Sequence, residues 1–599
     1  MQKPFFYAVD HEIIGLPEGV MPWTPTFSPD GRYILFHDYN GGREWMVQAD
    51  GMGLKCITGG MEDRPDFLGG FYYLLDDKRM FLSNELGDTA VILECEPSVY
   101  DWKSYQFLPI DLSADAELGR LCLGRRTYHM APDGKHLSYN ILTSVGLVMV
   151  ICTLERWEDR YVATDYYCLN PEGPVSANDP EQEHWSNGGT LAEFKAFCDG
   201  GRGFLFVTEG DSGNIDQYKC DFETGKVTRL SFDPDWDEDG ACSPDGEHTV
   251  CASWRGMGQL DVLNCVPGSL PLLSFYLGAV IAVHYVSSFP GFANDLQPWL
   301  LSGKDISGQP LAPYHGGNWI VANNIAGHPM WSPDSTKVLL QERDLTPPPD
   351  GANERVLEKG KAPNRLHISK LRKASAERMP IVETKIGSWA KRLKEYRANG
   401  DYPGDHIIPG RHSGSAKLNV DGNLLRCNHC VEYVNFSNDG IHFLNGTESV
   451  RGNANDLAWK QNLIVTGAEQ GETDIDLHFV KKNPQPPRNI PPMTLRGHAK
   501  STWNGVIREG LPGFGPKPAV LPKPSPLNLR TQLLGNVVEI HVAADIYGDV
   551  RPVCGAEVTF DGERKITGMD GKVQFPAKNG TIEADAGSNF LPAIMNLYI

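Results

Sequence analysis

The stretch Phe27-Ser-Pro-Asp-Gly-Arg-Tyr-Ile-Leu-Phe36 decides how the chain is read, because it recurs. It returns as Met130-Ala-Pro-Asp-Gly-Lys-His-Leu-Ser-Tyr139, Cys242-Ser-Pro-Asp-Gly-Glu-His-Thr-Val-Cys251 and Trp331-Ser-Pro-Asp-Ser-Thr-Lys-Val-Leu-Leu340. Weaker copies stand at Leu75-Asp-Asp-Lys-Arg-Met-Phe-Leu82 and Cys198-Asp-Gly-Gly-Arg-Gly-Phe-Leu-Phe206. Each phrase spells a hairpin: Pro presets φ and Asp-Gly supplies the φ > 0 position. The apolar alternation that follows predicts a strand with one buried face. Further strand patterns follow several copies, such as Glu44–Gln48, Ile215–Lys219 and Lys226–Leu230. Short strands repeated at intervals of about 40 to 90 residues predict propeller blades, with insertions in the later ones.

The copies resemble the PD40 repeats of TolB-like propellers, over about residues 20 to 345. The fold class expected is all-β: a six-bladed propeller over residues 1–400, an accessory β module and a small C-terminal sandwich. Asn435-Phe-Ser-Asn-Asp-Gly-Ile-His-Phe443 shares the turn, so residues 401–508 read as the accessory module or as a last, seventh blade. Trp389-Ala-Lys-Arg-Leu-Lys-Glu-Tyr396 reads as helix-like within a polar insertion. The prolines of 509–530 predict a stiff linker. Beyond it, Pro552-Val-Cys-Gly-Ala-Glu-Val-Thr-Phe560 and Thr567-Gly-Met-Asp-Gly-Lys-Val-Gln-Phe575 resemble the carboxypeptidase-regulatory-like or Ig-like sandwich, placed at 531–599.

With 55 basic and 76 acidic residues the net charge is −21, which argues against a nucleic-acid partner. The locally basic stretch from Lys359 to Arg397 reads as a solvated insertion. Thirteen cysteines are too few for a disulfide scaffold. Cys251 and Cys265 are one pair that could bridge in a secreted protein, and Cys427-Asn-His-Cys430 reads as a disulfide or two buried thiols before zinc. Met1-Gln-Lys-Pro-Phe-Phe lacks the pattern of a signal peptide, so the compartment is cytoplasmic, or secreted or periplasmic if a leader was removed. The charge-free Val266–Asn294 stretch is interrupted by Pro271, His284 and several serines, which disfavours a membrane span.

Functional residues of a propeller are expected just upstream of each repeated phrase, where loops meet the channel. Arg64 stands ahead of blade two, Arg126 and His129 ahead of blade three, and Glu183, His184 and Trp185 ahead of blade four. Asp237, Glu238 and Asp239 precede blade five and His328 precedes blade six. Glu183 with one of Asp237, Glu238 or Asp239 would supply the two carboxylates of a glycosidase. Arg64 and Arg126 suit an acidic sugar, and Trp185 a stacked ring. His129, His184 and His328 are candidates for a shared metal.

Gln297-Pro-Trp-Leu-Leu301 with Gly308-Gln-Pro-Leu311, and the Asn435 phrase with Asn445-Gly-Thr-Glu448, are similar to the saponin hydrolase group. That resemblance implies hydrolysis of a small-molecule glycoside or oligosaccharide carrying an acidic sugar, with no cofactor. Oligogalacturonate lyase, another TolB-like propeller, is the alternative and implies a divalent metal. A non-catalytic scaffold binding a protein partner, as TolB itself implies, is the third reading.

Overall fold

The computed structural model describes residues 4–38, 40–65, 72–84, 89–114, 122–143, 146–170, 192–209, 215–234, 237–253, 255, 260–264, 297–301, 308–311, 329–343, 364–396, 404–423, 426–453, 455–481, 493–510, 524–546 and 548–599. Nearly all regular structure among them is β, and the arrangement is propeller-like. Six antiparallel strand groups, called units below, follow one another in sequence, the second and third joined in one sheet by a short parallel pairing of Ile110 and Asp111 with Tyr161 and Val162. Unit one is Pro22–Phe27, Tyr33–Asp38, Arg43–Gln48 and Lys55–Cys56. Unit two is Tyr72–Leu74, Arg79–Ser83, Ala90–Glu96 and Ser104–Asp111, and unit three is Cys122–Met130, His136–Thr143, Gly146–Arg156 and Tyr161–Cys168. Unit four is Ala192–Cys198, Gly203–Glu209, Ile215–Asp221 and Val227–Arg229. Unit five is Asp237–Cys242, Thr249–Ser253, Gln297–Leu301 and Gln309–Pro310. Unit six takes Met330–Trp331, Lys337–Arg343 and Asn364–Leu371, and its last strand is the N-terminal Val9–Ile14.

The repeated phrase forms the turn between the first and second strands of a unit. Ser28 Oγ donates to Asp30 Oδ1 (2.7 Å) and accepts from the Tyr33 amide (3.0 Å), while Asp30 also receives the Arg32 amide (3.0 Å). Ser243 and Asp245 repeat this pattern, as do Ser332 and Asp334. The Asp-Gly position carries positive φ, +74° at Gly31 and +67° at Gly134.

One expectation from alternation fails here. Ile34, Leu35 and Phe36 are all fully buried, not every second one. The reason is that the units pack face to face. Ile34 and Phe36 share a core with Leu339 and Ile368 of unit six, and Leu35 shares one with Met80 and Leu82 of unit two. Similar cores join units two to three, three to four, four to five and five to six, so the ring closes. A disulfide between Cys198 and Cys242 ties the turn ends of units four and five. Cys251, expected as one half of a bridge, is a buried free thiol.

Strands from Gly404–Pro409 to Val506–Gly510 form one separate antiparallel meander, curled towards a barrel. The Asn435 phrase makes its turn here, between Arg426–Ser437 and His442–Asn453. Gly446, at φ +121°, lies so close to the neighbouring strand that a Cβ there would sit 2.0 Å from the Asn462 carbonyl oxygen. The inner face (Val431, Tyr433, Trp459, Leu477) packs on Val207 and Ile215 of unit four, Ala252 of unit five and Leu260–Leu263. Cys427 and Cys430 lie on opposite faces of their strand, the first buried and the second exposed, because three positions is an odd step in a period of two.

Ser525–Leu534 is already a strand of the C-terminal module, so the stiff linker expected over 509–530 is shorter than its prolines suggested. Two sheets of this module share a core of Val538, Ile540, Val558, Phe560, Phe575 and Ile582. Phe6–Tyr7 extends one of them, pairing with Asp549–Cys554. Within the stretch Lys359 to Arg397, expected as a solvated insertion with a helix-like Trp389–Tyr396, Asn364–Leu371 is a strand and residues 372–396 run along the turn side of the units, with only a short strand at Lys391–Arg392 and a 3-10 turn at Leu393–Glu395. No described helix is long and apolar enough to cross a membrane, and Val266–Asn294 lies outside the described residues.

An added Cβ at Gly134 would meet only Arg79 Nη2, at 3.9 Å. Gly134→Ala therefore tests backbone conformation alone, and should lower the unfolding free energy by about 1–2 kcal/mol in chemical denaturation.

Candidate functional site

The first strands of the units line the ring axis, and most of them are bulged. Register shifts fall between Trp23 and Thr26, Arg126 and His129, Phe194 and Ala196, and Asp237 and Gly240. In a regular strand Glu238 and Asp239 would point to opposite faces. The bulge re-aims them, so that both reach one cation. Gln217 Nε2 holds the bulge by donating to the backbone oxygens of Glu238 (2.9 Å) and Asp239 (3.2 Å). Gly240 leaves it room, since a Cβ there would sit 2.2 Å from the same Nε2.

The shared cation is Lys195, in the bulge of unit four. Its Nζ donates to Glu238 Oε1 and lies 3.0 Å from Asp239 Oδ1 and 3.2 Å from Glu193 Oε2. Arg126 Nη2 of unit three pairs with Glu193 Oε1 at 3.2 Å. Lys195, Glu193, Glu238 and Asp239 are all buried, whereas the Arg126 side chain keeps 31% exposure. Alongside, Tyr73 Oη hydrogen-bonds His129 Nδ1 at 3.0 Å, and the imidazole rests against Phe194. Three acidic and two basic side chains from three successive units thus meet inside the ring.

Burial sets the protonation of this cluster. It pushes Glu238 up to about 7 and Asp239 up to about 6, partly offset by Lys195. Burial opposes the charge on Lys195, but Asp239, Glu193 and Glu238 outweigh it and hold the ammonium above its ordinary range. Burial, with the Asp239 charge, raises the Tyr73 phenol. Two carboxyl groups held by burial above their ordinary range, beside a fixed cation, are placed for proton transfer.

The other expected residues separate. Asp237 Oδ2 pairs with Arg255 Nη2 at 3.1 Å, and Arg255 lies over the Trp299 ring. Beside them Asp216, bound by Arg229 and Ser231, is pushed up to about 7 by burial. Arg64 forks onto Glu44, with Nε to Oε2 at 2.7 Å and Nη2 to Oε1 at 2.5 Å. Burial opposes ionisation of Glu44, yet hydrogen bonds from Arg64 and His37 hold it down to about 2. The Arg64 side chain is 4% exposed and paired with Glu44, so it does not join the Lys195 cluster. Glu183, His184, Trp185 and His328 lie outside the described residues. His129 is the one described member of the expected metal set, and no group of three metal-binding side chains occurs among the described residues.

Sequence reading missed Glu193, Lys195 and Tyr73. A signal was present in Ala192-Glu-Phe-Lys-Ala-Phe-Cys198, where two charges sit two apart in an otherwise apolar strand. That strand begins about eight residues beyond Glu183-His-Trp185, the residues singled out ahead of blade four.

No protein-family model matches the chain, and no curated protein matches it. Similar solved structures include TolB-like and other β-propeller proteins. A protein described as TolB from Agrobacterium tumefaciens is 12% identical at a TM-score of 0.26, with 62% of this chain and 92% of that chain covered. The calcium-binding protein regucalcin from the same organism is 11% identical at 0.34, covering 64% and 100%. The β-propeller domain of Cps50 (Swd1) from Myceliophteria thermophila is 10% identical at 0.29, covering 58% and 83%. Likenesses this weak carry no argument of their own; the propeller-like description rests on the sheet order and the closed ring.

Lys195 is the test of the cluster. Lys195→Met should cost about 3–5 kcal/mol near pH 7, because it leaves buried carboxylates without their cation. The raised pKa values of Glu238 and Asp239 mean that the folded state holds protons that the unfolded state has released. The variant's deficit should therefore shrink as pH falls from 7 towards 5, as measured by denaturant unfolding at each pH.

Proposed function

We propose that the chain is a six-bladed β-propeller hydrolase that acts, inside its channel, on a glycoside carrying an acidic sugar. Residues 401–508 form an accessory β module, and residues from 525 onwards an Ig-like sandwich that packs on the ring. The observation that supports this reading is the pair Glu238 and Asp239, held on Lys195 with protons available near neutral pH. Glu238 gives its proton to the glycosidic oxygen as the C–O bond breaks. Asp239 takes a proton from the water that attacks the anomeric carbon. The products are a free sugar and the released alcohol. Arg126, the partly exposed member of the cluster, pairs with the sugar carboxylate through its guanidinium fork.

A screen of purified protein on glucuronides, saponins and oligogalacturonates, with and without EDTA, tests the reading. Free sugar should be released whether or not EDTA is present. Glu238→Gln and Asp239→Asn should each lower kcat by about 100-fold or more. Arg126→Lys should raise KM for the acidic substrate by about 10-fold with a smaller change in kcat. EDTA-sensitive formation of an unsaturated product would replace the hydrolase by a lyase. Absence of turnover on every substrate would leave a binding scaffold, with the cluster serving only to hold three blades together.

A further inference from the structure

The segment 372–396 makes contacts that a simple connection would not need. Within nine residues it reaches the phrase turns of five units. The Ala376 amide donates to Asp334 O of unit six (3.1 Å), and Arg378 Nη1 to Pro29 O of unit one (3.4 Å). The Met379 amide donates to Pro244 O of unit five (2.8 Å), and the Val382 amide to Gly200 O of unit four (2.9 Å). The Thr384 amide donates to Asp133 Oδ2 of unit three (3.0 Å). The segment is pinned at both ends. Lys373 Nζ pairs with Asp245 Oδ2 at 2.9 Å, and Trp389 Nε1 donates to Phe222 O at 2.8 Å.

Unit four is shaped to receive it. Its turn reads Asp199-Gly-Gly-Arg202 where most other units have one glycine. A Cβ on Gly200 would lie 2.3 Å from Pro380 O, and one on Gly201 3.0 Å from Val382 O. Residues 376–384 in extended form span about 27 Å. Each phrase turn joins the strand that lines the axis to the next one out, so a nine-residue segment that touches five of these turns, unit one through the Arg378 side chain alone, lies across that end of the ring. Units six and three lie opposite each other in a ring of six.

We propose that this strap plugs the turn end of the channel and makes it a one-ended pocket. Ligand enters and leaves from the other end, where the curled sheet packs against units four and five. This rests on the hydrolase reading for its consequence: a one-ended pocket admits the end of a molecule, so the substrate is a terminal sugar and not an internal linkage of a polymer.

Hydrogen exchange on the full-length protein tests the plug without any substrate. The amides of Ala376, Met379, Val382 and Gly387 should be protected at least about 100-fold over free-peptide rates, and free-peptide exchange there would overturn the proposal. A size series of end-labelled oligouronides tests the consequence. Release of the terminal residue alone supports it, and internal fragments from the unaltered protein overturn it. Val382→Pro, which deletes the bond to Gly200, should speed strap exchange by at least about 10-fold and let internal fragments appear. A loosened strap with unchanged products would show that something else blinds the channel. Failure of every glycoside to react counts against the hydrolase alone, and the plug is then decided by exchange.

Discussion

Everything in this molecule depends on one antiparallel pairing, that of Val9–Ile14 with Asn364–Leu371. Six units stacked face to face leave two apolar faces and an unfinished sheet until the chain's beginning returns to its last unit. Asp10 and Arg372, which form an ion pair at this junction, are 362 positions apart. Closing a loop of that length costs about 5 kcal/mol in chain entropy, since the cost rises only with the logarithm of length. Val9 and Ile14 are buried by the closure, and each contributes about 1.5–3 kcal/mol. The same N-terminal segment starts one strand earlier in the C-terminal module, at Phe6–Tyr7. Arg372 Nη2 reaches both Asp10 and Asp585, at 2.7 and 2.9 Å. Ring closure and docking of the C-terminal module therefore share the same N-terminal segment and the same arginine.

Burial within the ring governs how its charges pair. The cost of burying an ion makes isolated charges untenable there, so the basic side chains inside the ring are matched by carboxylates, from a neighbouring unit at Lys195 and Arg126 and from their own unit at Arg229 and Arg255. Lys195 joins units four and five, and Arg126 joins three to four. Bulges are the local device that permits this, because they turn successive side chains of one strand towards the same partner. The interior thus gathers proton-exchanging groups at the place where adjacent units must also be held in register.

The repeated phrase was legible because its chemistry is local. Ser, Pro, Asp and Gly each satisfy a demand of the turn itself, and Ser335, at φ +59°, shows the turn surviving without its glycine. Arg126, Glu238 and Asp239 were legible as unusual residues beside such turns. Lys195 was not sought, since a lysine among phenylalanines looks like the edge of a strand until its three carboxylates arrive from elsewhere in the ring. Arg64 misled for the matching reason: its partner Glu44 lies 20 positions back, in another unit.

By itself, then, the sequence determined that the chain is built of repeated β units, where their turns fall, and that a β module with its own apolar pattern ends it. These follow from φ preferences and from the period of apolar residues, which act within a few positions of the chain. Only the tertiary structure decided that second strands are buried on both faces, that the basic segment 372–396 crosses the turn side, and which charges share a site. Those outcomes depend on which surface each unit meets when the ring closes, and no short stretch of chain carries that information.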